Sequence, residues 1–392
     1  MHLNTVLKKS LTSSHTTDSI MDRRSWLKRG SAIGALSLLG GKEIVSTLSA
    51  YEREQFNPRP FAEPIALNFN ENPFGPSQNV RKVMTANFDQ GCRYPDAILD
   101  ELIDMIAAKE GVPANHIVVG GGSTEGLKVT GLTYANNGGE IIAARPTFLA
   151  MMNYAQQWGA TINWVDLDDR LTHDIDEMEK RISIKTKLVF LCNPNNPTST
   201  ILEKDRLVDF VSSAARKTMV FSDEAYYDFI EEPNYPSMVE LVKRGENVIV
   251  SRTFSKVYGL AGLRIGYLIA KPEIARTLRK NMVANSNVLA IQAAKEALRD
   301  DEFYQFSLAK TKEGKRLMYE AMDKLNLKYI ESHTNFIFFR TGKNIAAFNA
   351  DMLKKGVKVG RPFPPYVNWC RISTGTIEEV NHFNKSLLEV LG

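Results

Sequence analysis

Beyond residue 60 the chain alternates two textures. Short apolar runs recur, most of them continuous: HIVVG (116–120), EIIAA (140–144), TINWVDL (161–167), KLVFLC (187–192), TMVFSD (218–223), NVIVS (247–251) and RIGYLIA (264–270). Longer segments with helical spacing separate them. Runs that are continuous, not alternating, predict strands buried on both faces of a mostly parallel sheet. The intervals leave room for crossover helices, so the pattern predicts an α/β layer with helices on both faces. From about residue 275 the texture changes. Charged helical stretches such as PEIARTLRKNM and FSLAKTKEGKRLMYEAMDKL precede two strand-like pieces, NFIFFRT (335–341) and WCRIST (369–374), and a last helix. That order predicts a second, smaller α+β domain. The chain therefore divides into a tail (1–50), an arm (51–94), a large domain (95–290) and a small domain (291–392).

The tail is set apart by its own pattern. MDRRSWLKRG (21–30) carries Arg23, Arg24 and Lys28; a short apolar stretch, SAIGALSLLGG, and small residues in STLSA follow. A basic region, a short apolar region and a small-residue end predict a processing signal. The paired arginines look like a twin-arginine export address, which predicts a periplasmic or exported protein cleaved near Ala50; a cytoplasmic chain with a basic tail is the alternative.

Composition changes the picture little. At 392 residues, 43% of them apolar and 24% charged, the chain can bury two substantial cores. A net charge of +4 argues against a nucleic-acid surface. No later stretch approaches the roughly 18 apolar residues of a membrane span. Cys92, Cys192 and Cys370 are too scattered for a CxxC metal or redox motif, and are expected as buried thiols.

Candidate chemistry clusters at the strand ends, where ligands bind in such sheets. GGGSTEG (120–126) places Ser123 and Thr124 where a helix begins, and helix-start N–H groups with added hydroxyls suit an anion. RPTF puts Phe148 at the next strand end, as core or as a stacking surface. NPNNPTS (193–199) is a rigid turn offering Asn196. SDEAYYDF sets Asp223 directly after a buried run, either as a helix cap or as a carboxylate awaiting a cation. SRTFSK then places Lys256 among Thr253 and Ser255, and Arg264 follows eight residues later.

These groups, in this order, resemble the pyridoxal-phosphate enzymes of the aspartate aminotransferase fold, and within them the histidinol-phosphate aminotransferase-like branch. The resemblance is carried by LNFNENPFGPS (67–77), RYPD (93–96), NPNNPTS, DEAY (223–226), SRTFSK…GLAGLRIGY and CRISTGT (370–376), and covers residues 60–392. It implies a transaminase exchanging an amino group between an amino acid and a 2-oxo acid in ping-pong fashion. Lys256 would carry pyridoxal 5'-phosphate as a Schiff base and act as general base. Asp223 would pair with the pyridinium nitrogen, Tyr226 and Asn196 with the ring oxygen, and Phe148 with the ring face. Ser123, Thr124, Ser255, Arg264 and Thr253 would hold the phosphate, with the glycines of GLAGLRIG letting backbone pass close to it. Arg371 would grip the substrate carboxylate. Arg361, in GRPFPPY, either meets a substrate anion or stiffens its loop; Asn335 either lines the site or caps a strand. Tyr94 would reach a neighbouring subunit's phosphate site, which implies a homodimer. Two departures leave the substrate open. NPRPFAEPIALNFN lacks the Pro-Tyr pair usual upstream in histidinol-phosphate enzymes, and Ser199 replaces the glycine of NPTG. An aromatic amino acid aminotransferase, or a decarboxylase or lyase of the same fold, are the alternatives. A sugar aminotransferase is disfavoured by Arg371.

Overall fold

The computed structural model describes residues 64–392; the export signal expected around Arg23 and Arg24 lies outside the described residues. Among the described residues eleven strands follow in chain order: β1 (Ile65–Ala66), β2 (Ile117–Gly120), β3 (Glu140–Arg145), β4 (Thr161–Asp166), β5 (Thr186–Cys192), β6 (Met219–Asp223), β7 (Val248–Thr253), β8 (Gly266–Ala270), β9 (Phe336–Arg340), β10 (Val357–Lys358) and β11 (Trp369–Ser373). Seven of them form one sheet in the order β2-β8-β7-β6-β5-β3-β4. All neighbours are parallel except β8, which runs against both β2 and β7. The continuous apolar runs inside the sheet behave as their pattern predicts, whereas β4, at the sheet edge, buries only Val165. Every residue of β7 and β8 is buried, because helices cover both faces. Phe190 of β5 and Phe221 of β6 stack on one of those faces with ring centroids 6.0 Å apart.

Register explains why chemistry gathers at one edge. Cys192 pairs with Asp223 and Asp223 with Ser251, so β5, β6 and β7 end side by side. Since β8 is antiparallel, its beginning arrives at that same edge, with Gly266 opposite both Thr253 and Gly120. The run RIGYLIA is shorter as a strand than its pattern suggests. Arg264 has a left-handed backbone (φ 55°), so extension begins only at Gly266.

A second core lies beyond the sheet. β9 and β11 pair antiparallel, with Arg371 opposite Phe338 and Ser373 opposite Phe336. β1 pairs parallel with β10, bringing Ile65 against Val357. Ile65 and Leu67 pack with Met318, Ile337, Phe339, Val380 and Phe383. The last helix, Ile377–Leu391, opens on a reciprocal cap in which Thr376 and Glu379 satisfy each other's backbone N–H groups. Among the described residues no helix is long and apolar enough to cross a membrane. Cys192 and Cys370 are buried as expected, but Cys92 is exposed, because RYPD and the short helix before it lie on the surface.

Candidate active site

A cavity of about 450 Å³ opens at the common strand edge, lined from the sheet side and from the second core. At one end lies the start of the helix Ser123–Ala135, which follows β2 after a turn at Gly122 (φ 85°). First-turn N–H groups of a helix have no partner within it, and they carry the positive end of its dipole. Two glycines keep this cradle open. A Cβ on Gly122 would lie 2.6 Å from the Arg264 guanidinium, and one on Gly266 would lie 2.8 Å from the Ser123 nitrogen. Arg264 therefore lies over the helix start, with Ser123, Thr124, Thr253 and Ser255 lining the same end. Thr253 Oγ1 donates to Ser255 Oγ at 3.0 Å and accepts the Ser255 N–H, holding both hydroxyls in place.

The middle of the cavity holds an acid and an amine. Asp223 is 3% exposed, and among the described residues its Oδ1 accepts the Ala225 N–H, at 3.3 Å, with no cation paired to it. Burial pushes its carboxyl up to about 7, aided by the Glu224 charge and opposed by the Ala225 N–H and by Lys256. Lys256 Nζ donates to the Asn70 carbonyl at 2.8 Å. Burial, then the Arg371 charge, brings its amine down to about 8, so the neutral form is accessible near neutral pH. Tyr226 packs edge-on against Phe336 with ring centroids 5.2 Å apart, and burial pushes its phenol up.

At the far end stand two arginines. Arg371, nearly buried, donates from Nη1 to Asn196 Oδ1 at 2.8 Å and from Nη2 to the Asn68 carbonyl at 2.6 Å. Each Nη keeps a second N–H, and the guanidinium carbon lies 5.1 Å from the centre of the Phe363 ring. The Arg361 guanidinium lies 4.4 Å from the centre of that same ring, and it too lines the cavity.

An amine, a buried carboxylate, an anion cradle and a pair of guanidinium groups thus share one space. The sequence model for aminotransferase class I and II matches residues 62–387. This chain belongs to that family. A histidinol-phosphate aminotransferase of Moorella thermoacetica is 38% identical over 331 residues, covering 83% of this chain and 85% of that protein. One from Caldicellulosiruptor saccharolyticus is 35% identical over 365 residues, covering 89% and 99%. Among solved structures, the histidinol-phosphate aminotransferase of Sinorhizobium meliloti in complex with pyridoxal-5'-phosphate aligns with a TM-score of 0.78 at 24% identity, over 91% of this chain and 99% of that one. The aspartate aminotransferase of Thermotoga maritima aligns at 0.76 and 23%, over 83% and 92%. These two likenesses carry the fold, which is that of the aspartate aminotransferase group.

Within the aminotransferase, Ser123, Thr124, Phe148, Asn196, Asp223, Tyr226, Thr253, Ser255, Lys256, Arg264, Arg361 and Arg371 all line the one cavity. Tyr94 does not. It is 90% exposed and lies in a separate surface groove with Phe88, Cys92 and Asn285. Asn335 stays outside the cavity and donates to the carbonyls of Asn70 and Glu71, so it holds a loop. The glycines of GLAGLRIG divide their roles. Gly266 serves the cradle, but Gly259 instead lets Gly75 approach, since a Cβ there would lie 2.5 Å from the Gly75 Cα. Several partners have only a faint signal in the sequence. Asn68 and Asn70 come from LNFNENP, whose polar alternation was the available clue. Asn195 is buried and ties the cavity's loops together, accepting from Thr147 Oγ1 at 2.9 Å and donating to the Pro146 carbonyl at 3.2 Å.

Proposed function

We propose that this pyridoxal-phosphate-dependent aminotransferase takes an amino donor bearing a carboxylate or phosphate, with Lys256 as the attachment amine and proton carrier. The observation that carries the reading is the under-partnered Asp223 carboxylate facing the same cavity as the Lys256 amine. The chain's own groups fit the cofactor. The cradle of Ser123, Thr124, Ser255 and Arg264 suits a phosphate, and its two glycines leave room that a Cβ would fill. Asp223 has no cation among the described residues, and a protonated ring nitrogen would be one. Phe148 would stack on the ring, while Asn196 and Tyr226 would meet its oxygen. When bound, the cofactor supplies an electron sink for the pair released at the donor's α-carbon.

The residues' own parts follow from their surroundings. The Lys256 amine, brought down to about 8, accepts a proton from the donor's α-carbon at Nζ and can return it. Arg371 orients the donor through its two remaining Nη hydrogens, and Arg361 offers a second positive group on the same wall. The names of the curated relatives support an amine of the histidinol-phosphate type, and the family supports transamination over decarboxylation or elimination. The exposed Tyr94, in one groove with the exposed Phe88, supports a homodimer in which Tyr94 meets the partner's cradle.

A screen of amino donors against 2-oxo acids, followed by cofactor absorbance and 2-oxo acid product, tests this. Lys256→Ala should lose about 10²–10⁴-fold in turnover. Full transaminase activity in that variant would overturn the reading.

A further inference from the structure

We propose that Asn70 is a positioning residue: its amide turns the Tyr226 hydroxyl proton into the cavity, and its carbonyl holds the Lys256 amine when that amine is free. The inference rests on the transaminase reading above and adds a residue to it.

Asn70 is 1% exposed and adopts a left-handed backbone (φ 55°), which asparagine tolerates better than most side-chain-bearing residues. Its N–H donates to Ser373 Oγ at 2.8 Å, and Ser373 Oγ donates back to Asn70 Oδ1 at 3.1 Å. Ser373 has a single hydroxyl hydrogen, and with that hydrogen on Oδ1 the amide is oriented. Its nitrogen then faces Tyr226 and donates to the phenol oxygen at 2.9 Å. A phenol that accepts on this side keeps its own hydrogen for another acceptor, and the cavity is where one would lie. The edge-on Phe336 ring keeps the phenol from swinging away. On its other side, the Asn70 carbonyl accepts both the Lys256 amine at 2.8 Å and the Asn335 amide at 3.1 Å. One buried asparagine therefore touches both the amine and the phenol. Through Ser373 it is tied to β11, the strand that carries Arg371.

The test is a double-mutant cycle read by spectroscopy. Asn70→Gly keeps the left-handed backbone, the N–H and the carbonyl, and removes only the amide. The readout is the pH midpoint of the bound cofactor's absorbance in the holoenzyme, because a hydrogen bond to the ring oxygen favours its ionised form. Asn70→Gly should raise that midpoint by about 1 pH unit, and should add nothing when Tyr226→Phe is already present. An unmoved midpoint, or the same shift with and without the Tyr226 hydroxyl, would overturn the proposal. Should Asn70→Gly not fold, Ser373→Ala removes the group that orients the amide and replaces it in the cycle. Its midpoint should rise in the same way, and a rise that persists without the Tyr226 hydroxyl, or no rise at all, again overturns the role. The transaminase reading fails separately: a wild-type protein that takes up no pyridoxal phosphate overturns both, whereas an active wild type with an additive cycle overturns only the role of Asn70.

Discussion

Asp223 ends β6 inside the protein with one backbone donor, and burial raises its carboxyl from 3.8 to about 7. Between those values the folded cofactor-free chain binds a proton that the unfolded chain does not. By proton linkage this group's contribution to stability is full below about pH 4 and is lost as pH rises through about 7. Asp223→Asn removes the titration. The cofactor-free variant should therefore lose less thermal stability than wild type between about pH 4 and about pH 8. Parallel pH profiles for the two proteins would contradict the assignment. With the cation proposed for the holoenzyme beside Asp223, the burial would be offset, and the difference between variant and wild type over that range should vanish. The place of Asp223 was legible from its position after TMVF; its lack of a cation among the described residues was not, because that depends on which strands lie beside β6.

At the scale of elements, the sheet is held under the site by an ion pair on its other face. Asp223 and Thr253 line the cavity, while their chain neighbours Glu224 and Arg252 meet behind it at 2.8 Å. Both are nearly buried. Glu224 also accepts from Ser237 Oγ and the Met238 N–H, and the Arg252 guanidinium lies 4.1 Å from the centre of the Tyr227 ring. Arg252→Met would leave the Glu224 carboxylate buried without its cation, costing about 3–5 kcal/mol in urea unfolding near neutral pH. The loss should shrink as pH falls, since a protonated Glu224 needs no cation. A cost under about 1 kcal/mol would mean that water reaches the pair. The seven sheet strands were legible because each is a short apolar run, most of them continuous. The start of β8 was not, because the left-handed turn at Arg264 is imposed by the cradle that it completes.

For the whole molecule, the exposed aromatic groove around Phe88 and Tyr94 sets the prediction. Sedimentation should give about twice the 44.0 kDa chain mass, less any processed tail. Tyr94→Ala should weaken retention of pyridoxal phosphate while leaving each chain's own cavity intact. Mixed Lys256→Ala and Tyr94→Ala chains should recover phosphate retention at the sites where an intact Tyr94 faces an intact Lys256. A monomer that keeps its cofactor fully would rule out the shared site.

The order of strands and helices, the lysine, the aspartate and the hydroxyls at the helix start could all be read along the chain, because each follows a local pattern: an apolar run, a glycine turn, a polar group at a strand end. The contacts that join Asn70, Ser373 and Asn335 could not. Asn70 and Ser373 are 303 positions apart, and they meet because β1 pairs with β10 and the chain after β1 then runs beside β11, where the Ser373 N–H donates to the Leu67 carbonyl at 2.9 Å. Periodicity records which side of an element is buried; it carries no account of which distant element covers that side. The hydrogen bonds that aim the phenol and hold the amine arise from that covering, and so they exist only in the folded molecule.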